Sequence, residues 1–266
     1  MSDVITRDEV LESVRPVHTV RATCRACGGS DLQRFLDLGA QPLANSLPRD
    51  PSEFEGERRY PLDVYFCPAC TLVQLVDVID PEVLFRDYIY VTGTSTTIAA
   101  HNVAYARTVV ELLGAGANDL IVEVASNDGS LLKRFRDHGV RTLGVEPARN
   151  IAALARAEGI ETAVEFFGIE TAHSLRGRYG EAKAVIGNNV LAHVDDTIGF
   201  LSGFRALLAD DGLAIVEVPY LGELVDRIEY DTIYHEHLCY FSMTALARLC
   251  DETGLRIVRI DRVPVH

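Results

Sequence analysis

No stretch of this chain approaches the roughly 18 consecutive apolar residues that a membrane-spanning helix needs. The opening residues, MSDVITRDEV, lack the basic start and apolar stretch of an export signal. Basic residues are scarce: 25 Lys and Arg stand against 39 Asp and Glu, a formal net charge of −14 that repels nucleic acid and anionic lipid. These absences predict a cytoplasmic protein with neither a nucleic-acid nor a membrane partner. Internal repeats and low-complexity tracts are also missing, and 266 residues provide for about two domains with buried cores. A G-x-G-x-x-G following a strand is absent, which argues against a nicotinamide oxidoreductase. The G-x-G at Gly114-Ala115-Gly116 precedes a strand and reads as a helix stop.

The six cysteines are few enough for their spacing to decide their use. In a reducing compartment they are metal ligands or buried apolar residues before they are disulfides. Cys24-Arg-Ala-Cys27 and Cys67-Pro-Ala-Cys70 are two C-x-x-C knuckles, each turning two thiolates toward one ion. Two knuckles complete a four-sulfur tetrahedral site, so a structural Zn2+ is expected at Cys24, Cys27, Cys67 and Cys70. Cys239 and Cys250 lie in a helical pattern without partners and default to core packing.

Four segments follow along the chain. Residues 1–19 read as a polar segment, with Thr6 capping a short helix over Arg7 to Val14. Residues 20–80 form the metal module, in which Pro42 breaks any helix and Val73 to Val78 alternates as a strand. Residues 81–96 make a linker that carries Tyr88 and Tyr90 over the mouth of the next domain, which spans 97–266. That domain opens with a helical pattern from Thr97 to Leu113, then alternates strands near 120–125, 141–145, 183–187, 213–218 and 255–260 with helices. A right-handed, mostly parallel α/β sheet is the expected result.

The stretch Leu120 to Leu132, LIVEVASNDGSLL, runs a buried strand into an acidic residue, a small-residue turn and a new helix. That layout brings backbone close to a nucleotide-type cofactor. Glu123, the turn Ala125-Ser126-Asn127-Asp128-Gly129, and Glu146 at the tip of the next strand offer acceptors where a phosphate site would offer donors. The ligand should therefore be cationic, with Glu146 accepting the hydroxyls of a ribose. Asn188 and Asn189 close another strand at the same sheet edge and are counted with the cofactor residues. Phe166-Phe167 either covers an adenine ring or, like most adjacent aromatics, packs in the core.

Strand, turn and acidic second strand together resemble a class I S-adenosylmethionine (SAM)-dependent methyltransferase, a Rossmann-like fold whose usual turn is E-x-G-x-G-x-G. Here Ala125 and Asn127 stand at the first two glycine positions and Gly129 keeps the third. Three features narrow the resemblance: Leu38-Gly39-Ala40-Gln41-Pro42-Leu43-Ala44-Asn45-Ser46-Leu47 between the knuckles, the turn Ser126-Asn127-Asp128-Gly129, and Tyr234-His235-Glu236-His237. In this order they are similar to the sugar-nucleotide C-methyltransferases of branched deoxysugar biosynthesis, over residues from about 20 to 266. The resemblance implies an N-terminal zinc module, a SAM domain and a further C-terminal domain that helps hold a nucleotide-sugar. His266 looks like the start of that family's H-G-G-S-L-R segment, which implies truncation; either the antiparallel seventh strand that normally closes such a sheet is absent or this is a fragment of a longer protein.

Methylating carbon requires a carbanion equivalent, which a neighbouring ketone supplies by enolisation once a base takes the proton. A histidine beside a carboxylate suits that step near neutral pH. By resemblance His237 is the base, and Tyr234, Glu236 and Tyr88 line the sugar site. His193 is either a second polar contact to substrate or an N-terminal helix residue. His235-Glu236-His237 is not H-E-x-x-H and so does not read as a catalytic zinc site; a solvated polar turn has the same letters. Two alternatives remain at this stage: an O- or N-methyltransferase acting on a small metabolite, and a zinc-knuckle module fused to a domain that binds cofactor without turnover.

Overall fold

The computed structural model describes residues 16–86, 88, 91–94 and 96–263. The helix expected at Arg7 to Val14, Tyr90 and His266 lie outside the described residues. In chain order the first half holds β1 (His18–Val20), β2 (Gln33–Pro42), β3 (Arg59–Phe66), β4 (Val73–Leu75), β5 (Asp77–Ile79) and α1 (Pro81–Phe85). The second half holds α2 (Thr96–Leu113), β6 (Leu120–Val124), α3 (Ser130–Asp137), β7 (Arg141–Val145), α4 (Arg149–Ala157), β8 (Thr162–Ala163) and α5 (Ile169–Tyr179). It continues through β9 (Ala182–Asn188), α6 (Thr197–Leu207), β10 (Leu208–Glu217), α7 (Leu221–Arg227), β11 (Cys239–Tyr240) and α8 (Met243–Glu252).

The main sheet is parallel, with strand order β10-β9-β6-β7-β8. From β6 the chain runs outward through β7 to β8, then returns to place β9 on the other side of β6. The order reverses between β6 and β9, and the crevice at the carboxyl ends of those two strands is where open α/β sheets take ligands. Period-two alternation sorts β6 between the two faces. Leu120, Val122 and Val124 join the core beneath α5 and α6, while Ile121 packs with Ala106 and Val109 of α2 and Leu131 and Phe135 of α3. Glu123 shares the α2 face with Ile121, so a carboxylate is carried into the core by the same periodicity that buries its neighbours.

The second sheet, ordered β11-β4-β3-β2 and antiparallel, crosses the expected boundary at residue 80. Its edge strand β11 comes from residues 239–240, pairing Cys239 with Gln74 and Tyr240 with Val73. One continuous core accordingly contains Leu62, Val64, Leu72 and Leu75 from the first half together with Val122, Val185, Phe204 and Phe241 from the second.

Four expectations are corrected. Residues 255–260 form no regular element and pair with no strand among the described residues, and Val258 and Ile260 are exposed, so apolar alternation there has no partner to make it a strand. Val73 to Val78 is not one strand: β4 joins the β3 sheet, whereas β5 pairs with β1, and every residue of both is buried because both faces are covered. Cys239 lies in a strand and not in a helix; a two-residue strand whose partner is at 74 leaves no local period to read. The strand at 213–218 is the regular part of β10, which begins at Leu208 and shifts register before Leu213 around Gly212. The short β8 is an element the sequence reading passed over.

Gly129 precedes α3 with φ +72°, and a Cβ there would lie 3.0 Å from Ile160 Cγ1. Both the left-handed backbone and the space require glycine at this position. Gly129→Ala should therefore lower the unfolding free energy by about 1–2 kcal/mol; urea denaturation checks this, and an unchanged midpoint would show that the turn relaxes without cost.

Candidate functional site

The two knuckles fold alike. In the first, Cys24 N–H donates to Gly29 C=O and Gly28 N–H to Cys24 C=O; in the second, Cys67 N–H donates to Leu72 C=O and Thr71 N–H to Cys67 C=O. The residue after each second cysteine is left-handed: Gly28 at φ +71°, and Thr71 at φ +63°, where a β-branched side chain makes the conformation costly. The ligand atoms of Cys24, Cys27, Cys67 and Cys70 lie within 4.8 Å of one another. Cys24 Sγ is 3.4 Å from Cys70 Sγ and Cys27 Sγ is 3.6 Å from Cys67 Sγ. Those separations approach the roughly 3.8 Å edge of a tetrahedron with metal–sulfur bonds of 2.3 Å. Four sulfurs and no open position suit a structural Zn2+, with no room for a substrate.

Between the first two ligands sits Arg25, whose side chain is fully buried. Its guanidinium donates to Gln74 Oε1 (3.1 Å), to the Leu75 carbonyl and to Asp195 Oδ1 (3.0 Å), while its own carbonyl accepts from Thr197 Oγ1 (2.9 Å). The knuckle is thereby fastened to the segment that starts α6.

At the sheet edge, the turn from Ala125 to Gly129 is wound through positive φ at Ala125 (+53°), Asn127 (+50°) and Gly129 (+72°). The strain is held by Glu146, whose carboxylate accepts from Asn127 N–H (2.9 Å) and Ala148 N–H (2.8 Å). Asn127 Oδ1 accepts from Thr92 N–H (2.9 Å), and the two Asp128 oxygens accept from Gly93 N–H and Ser130 N–H (both 3.1 Å). Side chains expected to face a ligand thus also bind the linker across the mouth. Glu123 Oε2 and Ser126 Oγ are buried without a hydrogen-bond partner. Burial, reinforced by Asp128 and Glu146, pushes the Glu123 carboxyl well above the usual carboxylate range; burial also raises Glu146. Clustered carboxylates with an orphaned oxygen fit a positively charged ligand, the chemistry of an ammonium and a sulfonium.

Asn188 accepts from Tyr105 O–H (3.2 Å), and left-handed Asn189 donates to Glu217 Oε1 (2.9 Å). Glu217, which ends β10 and lies 3.6 Å from His101 Nε2, was not singled out from the sequence. An acid closing a strand, the pattern that marked Glu146, is also present there.

The Tyr234-His235-Glu236-His237 segment leads into β11 and is folded inward instead of forming a solvated turn: His235 and Glu236 are 1% and 2% exposed. His235 Nε2–H donates to the carbonyls of Tyr60 and Pro61, which turns it toward the metal module and away from the other polar groups. His237 Nδ1 is 2.8 Å from Thr232 C=O and must donate; Nε2, 2.9 Å from Tyr234 Oη, therefore carries the lone pair and accepts the phenol's hydrogen. His193 faces His237, ring centroids 4.8 Å apart, with Phe85 of α1 against its other side. Burial brings His193 down to about 3, and it lowers His237 as well, so both imidazoles are neutral at pH 7. Glu236 accepts from Asn45 Nδ2 (2.7 Å) and Tyr88 O–H (3.5 Å). Tyr88, Tyr234, Glu236, His237 and His193 thus converge. Of the two aromatics weighed for adenine, Phe167 packs on Phe200 and Phe204 in the core, while Phe166 lies under the Arg86 guanidinium.

A family model described as "Methyltransferase domain" matches residues 99–260, and one described as "Putative zinc binding domain" matches residues 24–85. The C-methyltransferase NovU of Streptomyces niveus is 42% identical over 253 residues, 95% of this chain and 59% of that protein. The chain therefore spans well under two thirds of this relative's length. Among solved structures, a SAM-dependent methyltransferase from Archaeoglobus fulgidus aligns with TM-score 0.49 and 14% identity over 59% of this chain and 68% of that one. Streptomyces venezuelae DesVI aligns with TM-score 0.39 and 18% identity over 48% of this chain and 54% of that one. The assignment rests on the sequence matches: the chain belongs to the methyltransferase-domain family, preceded by a zinc-binding module. Its cofactors are SAM and Zn2+. No helix among the described residues is long and apolar enough to cross a membrane.

Metal analysis should find one Zn2+ per chain, and Cys67→Ser should lose it along with the fold of the module. A protein that purifies without zinc, or a variant with unchanged metal content, overturns the four-sulfur assignment.

Proposed function

We propose that this protein is a SAM-dependent C-methyltransferase acting on carbon 3 of a nucleotide-linked 4-keto deoxysugar. The observation that carries the reading is His237, a neutral imidazole with its Nδ1 hydrogen committed to Thr232 and its Nε2 lone pair turned toward Tyr234. A transfer to oxygen or nitrogen needs no enolisation, whereas carbon must first be made nucleophilic by loss of a proton beside the ketone. The name of the NovU relative, a C-methyltransferase, points the same way.

Bound SAM supplies an electrophilic methyl group, and zinc supplies folding free energy for the module that frames the site. The remaining work falls to side chains. His237 Nε2 takes the proton from the carbon beside the ketone, and the C–H electron pair becomes the enolate. Tyr234 occupies Nε2 in the free protein, so its hydroxyl has to leave before the lone pair can act. Rotating that O–H from Nε2 onto the substrate's carbonyl oxygen frees the base and stabilises the developing oxyanion in one movement. Glu236, Tyr88 and His193 complete the wall; a neutral His193 leaves the imidazolium of His237 without a like charge beside it. On the cofactor side, Glu146 and the 125–129 turn hold the nucleoside and methionine parts, with Glu123 and Asp128 facing the positive charges. Asn188 and Asn189 close the crevice between β6 and β9.

Burial lowers the His237 pKa below the 6.5 of a free imidazole. The neutral form is the active one, so activity should persist as pH falls through 6.5 and be lost only below it. An acid limb of kcat/KM above pH 7 would remove His237 as the base. In the whole protein, His237→Ala should abolish both methyl transfer and deuterium exchange beside the ketone while SAM still binds; exchange equal to wild type would assign the base to another residue. Glu146→Ala should weaken SAM binding by roughly 1.5–3 kcal/mol, since it removes hydrogen bonds to a charged group. Calorimetry reads this directly, and equal affinity would exclude Glu146 from the cofactor site.

A further inference from the structure

The segment Leu38–Leu47 marks this chain in sequence, yet nothing in the cofactor site or the zinc site uses it. β2 ends within it, and the chain then turns at Leu43–Ser46, where Ser46 N–H donates to Leu43 C=O. Asn45 sits at the tip of that turn. Its side chain reaches across 191 positions of sequence to donate from Nδ2 to Glu236 Oε1 at 2.7 Å, the shorter of the two side-chain hydrogen bonds that Glu236 accepts. Glu236 itself is 2% exposed.

A carboxylate this buried pays a desolvation cost for its charge unless donors or a cation offset it. The titratable side chains coupled to the Glu236 carboxylate are Tyr88 from the linker and Tyr234 from its own segment, while His193, from the segment that follows β9, meets the Glu236 backbone. None of these is a cation at pH 7. Burial raises the Glu236 carboxyl, and the two groups that oppose the rise are Asn45 first and Tyr88 second. Tyr88, at 3.5 Å, is at the limit of a hydrogen bond. The amide of Asn45 is thus the principal group opposing that rise, and it holds Glu236 Oε1 in place.

We propose that Asn45 is a positioning residue: the metal module inserts one amide into the substrate site and through it sets the charge and orientation of Glu236. This deepens the C-methyltransferase reading and rests on it for the role of Glu236. The module then serves the reaction as well as the fold, and substrate recognition draws on both halves of the chain.

The test reads the titration of Glu236 in the whole protein by carbon NMR of glutamate labelled at its carboxyl carbon, with the signal assigned by its disappearance in Glu236→Gln. Asn45→Ala should move the Glu236 midpoint upward by about one unit, and Asn45→Gln, which restores an amide, should bring it back toward wild type. Bound zinc and SAM affinity should be unchanged in both. An unmoved midpoint in Asn45→Ala overturns the proposal. A shift accompanied by loss of zinc overturns it too, because the turn would then be acting through the fold. The titration needs no turnover, so the expected shift in a protein that fails to methylate a keto sugar would refute the proposed function and leave the Asn45–Glu236 link standing.

Discussion

A guanidinium with no access to water is the constraint on which the arrangement of this molecule depends. Arg25 lies inside the first knuckle, and its charge is tolerable there only because Gln74, the Leu75 carbonyl and Asp195 surround it. A buried cation deprived of a partner is destabilising, so these groups hold one another in register. Gln74 and Leu75 belong to β4, whose pairing with β11 fixes the residues just after His237. Asp195 lies two residues beyond His193. The peptide of Leu238 closes the circuit: its N–H donates to Ala192 and its C=O accepts from Leu75. Two imidazoles from distant parts of the sequence meet because their neighbours share one backbone.

The cofactor edge is built on a different principle. There the backbone is strained, with Ala125 and Asn127 left-handed where glycine would be relaxed, and Glu146 is buried as the acceptor that holds the turn. The side chains retained at those positions are put to use: Asn127 and Asp128 bind the backbone of Thr92 and Gly93, drawing the linker over the crevice. The same carboxylates that suit a cationic ligand therefore also organise its cover. Unpartnered polar atoms at Glu123 and Ser126 mark where the protein's own interactions stop.

What could be read from the sequence was local. C-x-x-C spacing declares a knuckle because two ligands three residues apart point one way, and the strand–turn–helix at 120–132 is likewise a contiguous signal. Short apolar runs alternating with helical patterns placed β6, β7 and β9 correctly. The same reading failed at 255–260, where an apolar run lacks a neighbouring strand to pair with, and alternation failed at 73–78, where two strands of different sheets abut. Cys239 looked helical because its strand is two residues long and its partner lies at 74. Tyr234, Glu236 and His237 came from resemblance, since the letters alone describe a surface turn equally well. Asn45, Arg25 and Glu217 act through partners 191, 170 and 28 positions away, and no local pattern carries that information.

The two sequence-defined halves meet at residue 80, yet the sheet ordered β11-β4-β3-β2 takes strands from both. The unit that can be recognised in sequence is thus smaller than the unit that shares a sheet. Excising residues 1–80 would leave β4 with an open ladder and Arg25 without Asp195, while the remaining half would lose the strand against which its histidine segment is laid. The two halves thus share one antiparallel sheet and one apolar core.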